Sequence, residues 1–455
     1  MFIGRKKELE ELTQEFNSSK KSVVLVYGKR RIGKSSLIQE ASKFFNGIII
    51  NHLFVKTSYE SNLKLLTRSI SMALKLPSSI SFNSIFDLFD FIKAQNKKML
   101  LILDEYQYFK ESQKACEIDS YMQMIVDSLP PKVKIVFCGS YISIMKELLQ
   151  EENPLFGRFT RIIHLREFDY YEASLFYPDL SEYNKIRFYS VFGGSPFVLI
   201  NLDYQKTLEE NIIKLLINQD SLLRSYIENI MLREIQKNYD IRIMEVISNG
   251  KKHYGEIQNL LSFNDSGLLD KQLKNLLSME TITKVFPINK PNDKKKFFYE
   301  IKDNLMRFYF AFIFANESLI IKFGEEKFFK NNILNGLKTF ISYRFEDIAL
   351  QYFMRLAKKG EIKNIQDFGS YWYDDKKNKT NGQFDCVLKE NNGYNFYEVK
   401  FYEKPMTLSE CKNEEKQIRN ITELECKKIG FICSAGFDFQ TDEYDLIDSK
   451  KIYQR

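Results

Sequence analysis

Apolar residues in the N-terminal part of the chain gather into five short runs, Val23–Tyr27, Gly47–Phe54, Met99–Gln107, Lys132–Ser140 and Arg161–Arg166. Runs of this kind are what strands buried on both faces of a parallel sheet look like. Between them the apolar spacing changes to three and four, as in Leu37, Ile38, Ala41, Phe44 and Phe45, then in Leu63–Leu76 and Ile85–Ala94. The alternation predicts an α/β fold built on a parallel five-stranded sheet with helices on its faces.

Further along the pattern is helical. Asn211–Ile235 carries Ile212, Leu215, Leu216, Leu222, Leu223, Tyr226, Ile230 and Ile235 as one stripe and is expected to be a helical connector. Residues 241–301 show three apolar stripes (Ile243, Val246, Ile247; Tyr254, Ile257, Leu260; Leu268, Leu273, Leu276, Leu277) and then two runs around the polar turn Ile288–Lys296. Helix, turn, helix, longer helix, hairpin is the order of a winged helix. Its third helix, Ser266–Leu277, either enters a DNA groove, with Lys294, Lys295 and Lys296 on phosphate, or only packs. Lys271 and Lys274 are its basic residues, and no row of Arg, Asn or Gln accompanies them.

The first strand and helix flank GKRRIGKS, Gly28 to Ser35, of the form G-x-x-x-x-G-K-S. Gly28 and Gly33 let the backbone N–H groups of Lys29, Arg30, Arg31 and Ile32 curl toward a phosphate, and the following helix, through Ser36, adds its positive end. Lys34 supplies charge for the β and γ phosphates, and Ser35 a hydroxyl for Mg²⁺. The run LILDEYQ ends in Asp104 and Glu105 at what should be the carboxyl edge of the sheet. Asp104 would hold the Mg²⁺ shell, and Glu105 would take a proton from the attacking water or orient it. A full strand and helix stand between the two motifs, which places an additional strand between them in the sheet. The fold expected is therefore that of a P-loop NTPase that hydrolyses ATP with Mg²⁺.

A second constellation lies near the C-terminus. QFDCVL, Gln383 to Leu388, and YNFYEVK, Tyr394 to Lys400, alternate and are separated by KENNG, a hairpin signal. Glu398 and Lys400 share a face by their spacing. A two-residue turn at Asn392 and Gly393 makes facing positions sum to 785, which sets Asp385 opposite Lys400 and diagonal to Glu398. All three then stand on one face. Two carboxylates and a lysine so placed can hold Mg²⁺, polarise a phosphodiester and position a water. Glu346, in the helical run Tyr343–Leu356, is the fourth candidate.

Composition narrows little. The 455 residues suggest about three domains, and 67 basic against 60 acidic residues give +7, which permits nucleic-acid binding without arguing for it. Six scattered cysteines and three histidines form no zinc pattern and suit a reduced cytoplasmic compartment. The opening MFIGRKKELEEL turns acidic before any apolar stretch, which argues against a signal peptide. The longest apolar run, Phe308–Ala315, falls far short of a membrane span and is expected to be a buried helix.

With these residues the chain resembles the prokaryotic AAA-related ATPases that open with F-x-G-R and carry G-x-R-R-x-G-K-[ST] (GKRRIGKS), L-D-E-x-Q (LDEYQ), G-S, P-L-x-G-R (PLFGR), G-G-x-P (GGSPF) and a C-terminal nuclease-like domain. The resemblance implies that Gly4 and Arg5 lie near adenine, against a simple capping turn. It implies Ser140 as a sensor of the γ-phosphate. It implies Arg158, with Arg161 second, as a finger acting on a neighbouring copy in a homo-oligomer, against a solvated loop arginine. Asp385, Glu398 and Lys400 resemble the metal-binding core of PD-(D/E)XK nucleases, so the C-terminal α/β domain is expected to be restriction-endonuclease-like. The resulting domains are 1–200 (ATPase core), 201–237 (helical lid), 238–302 (winged helix) and 303–455 (nuclease-like). Two functions remain open: an ATPase coupled to DNA binding or Mg²⁺-dependent cleavage, and a regulatory NTPase whose C-terminal domain binds DNA or protein without cutting.

Overall fold

The structure, a computed structural model, describes residues 2–77, 79–113, 117–228, 240–248, 250, 252–262, 266–291, 293, 296–375, 377, 379–421 and 425–454. The chain divides into two compact units, Met1–Glu167 and Phe168–Arg455. The boundary expected at residue 200 lies inside the second.

In the first unit β1 (Val23–Tyr27), β2 (Ile48–Leu53), β3 (Met99–Asp104), β4 (Val133–Gly139) and β5 (Arg161–His164) form one sheet in the order β2-β3-β4-β1-β5. All four pairings are parallel. The additional strand expected between the phosphate loop and the acidic strand is β4. Alternate residues serve opposite faces: Val23, Leu25, Leu101, Leu103, Ile135 and Phe137 join one apolar cluster, Val24, Val26, Leu100, Ile102, Val136 and Cys138 another. That double burial is why the strands read as continuous apolar runs. Because every strand runs the same way, the carboxyl ends of β1, β3 and β4 share one edge.

The second unit starts with helices. The expected connector is not one helix: Leu208–Ile212 passes into a π-helical turn, Ile213–Ile217, and Asn218 leaves helical conformation at ψ 120°. Ser221 then caps Leu222–Tyr226 by accepting from the Arg224 amide. Ile230 and Ile235 lie outside the described residues. Helices Arg242–Ser248, Tyr254–Leu261 and Ser266–Ser278 precede an antiparallel hairpin of β6 (Ile282–Val285) and β7 (Phe298–Ile301), the element order the pattern predicts. Lys294 and Lys295 also lie outside the described residues, and Lys274 is held by Asp270 at 2.7 Å. Phe308 and its neighbours lie in the buried helix Asn304–Phe312.

The C-terminal sheet is mixed. It comprises β8 (Ile365–Asp375), β9 (Thr380–Glu390), β10 (Gly393–Lys400), β11 (Cys426–Cys433) and β12 (Asp445–Asp448), in the order β12-β11-β10-β9-β8. β8, β9 and β10 are an antiparallel meander; β10, β11 and β12 run parallel. A parallel step needs a crossover, and the helix Leu408–Arg419 lies between β10 and β11. The long helix Leu334–Lys359 packs on β8, β9 and β10 and joins an apolar cluster that runs from Phe168 to Ile452. Among the described residues no helix is long and apolar enough to cross a membrane.

Candidate functional site

The loop after β1 sits on the carboxyl edge of the first sheet. A Cβ at Gly28 would stand 2.2 Å from the carbonyl oxygen of Leu165, so only glycine lets the loop pass the chain leaving β5. Arg31 (φ 59°) and Gly33 (φ 90°) take left-handed conformations that turn the loop into the helix Lys34–Ser42. Lys34 is buried, and its ammonium donates to the carbonyls of Gly28 at 2.9 Å and Lys29 at 2.8 Å. Burial pushes its pKa below the usual lysine range. Ile32 is buried beneath the loop, whereas Arg31, Ser35 and Ser36 face outward. Lys29 pairs with Glu167 at 3.6 Å.

The acidic strand meets this loop across β4. The Ser35 hydroxyl donates to Asp104 Oδ2 at 2.8 Å, so the two residues expected to share Mg²⁺ are already together. Glu105 follows in the left-handed region, φ 54°, uncommon for a residue with a side chain. Its Oε2 accepts from the Ser140 hydroxyl at 2.7 Å and from Gln107 Nε2. Loop, candidate metal-ligand pair and candidate base thus share one sheet edge with Ser140.

The flanking residues fall in several places. Arg5 is buried in the left-handed conformation; its guanidinium donates to the Arg166 carbonyl and approaches Glu8 at 3.9 Å. Gly4 precedes it at φ 71°. Arg158 is engaged by Asp127 of its own chain through three bonds of 3.0, 3.2 and 3.1 Å. Arg161 pairs with Glu15 at 3.7 Å. Arg30 donates to the hydroxyls of Tyr108 at 2.9 Å and Tyr141 at 3.1 Å, with its guanidinium carbon 5.1 Å from the Tyr141 ring centre. Gln107, Tyr108 and Tyr141 received no role from the sequence. All three follow strand ends at the carboxyl edge, and that position was the available signal.

In the C-terminal domain the register differs from the expected one. Gly393 pairs with Glu390 and Tyr397 with Cys386, so facing positions sum to 783 and the two-residue turn is Asn391–Asn392. Continuing that register sets Asp385 opposite Glu398, not Lys400. A shift of two residues preserves the face, so the three polar groups still lie on one side. Lys400 bridges Glu398 at 2.7 Å and Glu414 at 3.0 Å, and Gln383 Nε2 donates to Asp385 Oδ1 at 3.1 Å. Burial pushes the Glu398 carboxyl above its ordinary range, against the pull of Lys400. Asp385, Glu346 and Glu398 all act electrostatically on the buried Cys386. Among the described residues, however, no three His, Cys, Asp or Glu side chains are grouped as a metal centre. Glu414, from the crossover helix, was not foreseen; only the fold brings it to Lys400.

Comparison with known proteins finds similarity to ATPase domains over the N-terminal part of the chain. Residues 2–202 match a family described as an ATPase domain predominantly from Archaea. Residues 309–421 match a family of archaeal and bacterial proteins of unknown function. An uncharacterized protein of Methanocaldococcus jannaschii is 29% identical over 384 residues, covering 82% of each chain. An uncharacterized ATP-binding protein of that organism is 45% identical over 40 residues, 9% of this chain and 68% of the relative. Among solved structures, a Walker-type ATPase of Pyrococcus abyssi is similar at 20% identity and TM-score 0.48, covering 68% of this chain and 96% of its own. The ORC2 protein of Aeropyrum pernix is similar at 13% identity and TM-score 0.46, covering 67% and 92%.

Proposed function

We propose that this chain binds ATP with Mg²⁺ at Gly28–Ser36 and hydrolyses it, a reading supported by the match of residues 2–202 to a family described as an ATPase domain predominantly from Archaea. The observation that carries this reading is the 2.8 Å bond from Ser35 to Asp104, which sets the two metal-ligand candidates together beside Glu105. Loop N–H groups cradle the phosphates, and Lys34 exchanges its two carbonyl partners for phosphate oxygens. Ser35 and Asp104 would hold Mg²⁺, which would supply charge neutralisation to the transferring phosphoryl group. Glu105 takes a proton from the attacking water or orients it, and Ser140 donates to the γ-phosphate. Gly4 and Arg5 line the adenine side. Arg158 serves a neighbouring copy only by leaving Asp127, so ATP turnover per chain that rises with protein concentration, and ceases to rise in Arg158→Ala, is the test of that role. ATP binding itself is tested by titration calorimetry: Lys34→Ala should weaken ATP by at least about tenfold, since a charged hydrogen-bond partner is worth about 1.5–3 kcal/mol. Equal affinity in the variant would refute the assignment.

A second reading concerns the C-terminal domain, where the β9–β10 register, continued past Tyr397 and Cys386, would set Asp385, Glu398 and Lys400 on one sheet face. We infer a nuclease-like module, with Glu346 as fourth member, that ATP hydrolysis controls and that meets DNA. The hold of Glu398 and Glu414 on Lys400 favours the non-cutting form of that reading, in which the domain binds DNA or protein. Incubation with plasmid, Mg²⁺ and ATP separates the two. Cleavage lost in Asp385→Ala and Glu398→Ala supports a nuclease; intact plasmid under every metal and nucleotide condition counts against one.

A further inference from the structure

Gln107 is fully buried at the centre of the ATPase site. Its Nε2 donates to the Glu105 carboxylate and, at 3.3 Å, to Ser140 Oγ. Its Oε1 is buried without a hydrogen-bond partner. Turning the amide over would give that oxygen no advantage: it would then face the Glu105 carboxylate, acceptor against acceptor. The amide fits only because residue 139 is glycine, since a Cβ there would stand 2.5 Å from Oε1. A buried acceptor with no donor destabilises a fold, so packing alone would favour an apolar side chain here.

The Ser140 hydroxyl has one proton, and it goes to Glu105 Oε2 at 2.7 Å. The role of γ-phosphate donor requires the same proton. A single proton cannot serve both acceptors, so Glu105 loses this bond whenever Ser140 serves phosphate. Gln107 would keep its own bond to Glu105 through that exchange, and its amide would continue to donate to the serine oxygen.

We propose that Gln107 is a positioning residue for ATP hydrolysis: it retains the Glu105 carboxylate when Ser140 turns its proton to the γ-phosphate, and so links phosphate sensing to the base. The inference rests on the ATPase reading of this site.

Gln107→Met keeps length and shape and removes both donors. Its kcat should fall by about tenfold to a hundredfold, the usual cost of losing a group that orients a reacting one. Its Kd for ATP should stay within about twofold, because Gln107 contacts neither loop nor phosphate in this account, and its Tm should not fall. Gln107→Glu supplies a second readout. Protonated, that carboxyl can donate to Glu105; ionised, it repels it. Its kcat relative to wild type should therefore rise as the pH drops from about 8 to about 6. Gln107→Met with unchanged kcat, or with kcat, ATP affinity and Tm all reduced together, would overturn the proposal. So would Gln107→Glu that tracks wild type across the pH range. Lys34→Ala and Glu105→Gln run alongside: if they turn over ATP like wild type, the site assignment itself fails, whereas if they are inactive and Gln107→Met is normal, only the role of Gln107 fails.

Discussion

Gly28→Ala puts the phosphate loop to a geometric test. The new methyl carbon would lie 2.2 Å from the backbone carbonyl oxygen of Leu165. An unstrained carbon–oxygen contact is about 3.3 Å, so loop and strand exit must separate by roughly 1 Å. Neither partner is a flexible side chain, so the movement is transmitted to the N–H groups proposed to face the phosphates and to Lys34, whose ammonium rests on the Gly28 and Lys29 carbonyls. A misplacement of about 1 Å in a reacting assembly costs about a hundredfold in rate, close to 2.8 kcal/mol. Steady-state ATP hydrolysis should show kcat/KM reduced by about that factor, with circular dichroism unchanged. A variant that keeps kcat/KM within about twofold of wild type would show that the close approach at Leu165 does not shape the loop.

Three further expectations concern stability and pH. Asp119 is fully buried and accepts from Tyr106 at 2.9 Å, Asn153 at 2.8 Å and Lys110 at 2.5 Å; Asp119→Ala strands those donors and should cost about 3–5 kcal/mol in urea unfolding, with a loss below about 1 kcal/mol counting against the network. Burial lowers the pKa of His52 from 6.5 to about 4. The unfolded chain takes up that proton first on acidification, so the neutral ring's contribution, about 3 kcal/mol, is whole above pH 6.5 and is lost as pH falls toward 4. Unfolding free energies across that range should fall less steeply in His52→Gln, and parallel curves would refute the assignment. Gly255 sits in a helix with open space where a Cβ would go; Gly255→Ala should stabilise by up to about 1 kcal/mol in thermal unfolding, and a lowered Tm would contradict it.

How much of this was readable beforehand depended on range. The phosphate loop was legible because its chemistry is local: glycines, a lysine and a serine at fixed spacing between a strand and a helix. The sheet was legible because double burial writes β1, β3 and β4 as unbroken apolar runs. Asp385 was placed on the correct face with the wrong partner, since Asn391–Asn392 closes the turn and Gly393 enters the strand, and a slip of two leaves the face unchanged. The break at Asn218 escaped notice because an apolar stripe continues across it. Glu414 was out of reach because its partner Lys400 comes from another element, and Gln107, although its place after a strand end was a signal, takes its role only with Ser140, 33 residues away.

The central claim is that Gly28–Ser36, Asp104 and Glu105 form one site that hydrolyses ATP. Mg²⁺-dependent phosphate release by wild type and Glu105→Gln, with ATP affinity measured on both, tests it most directly. The account predicts turnover by wild type and, in Glu105→Gln, unchanged affinity with kcat reduced by about a hundredfold or more. Glu105→Gln turning over ATP at the wild-type rate would contradict it.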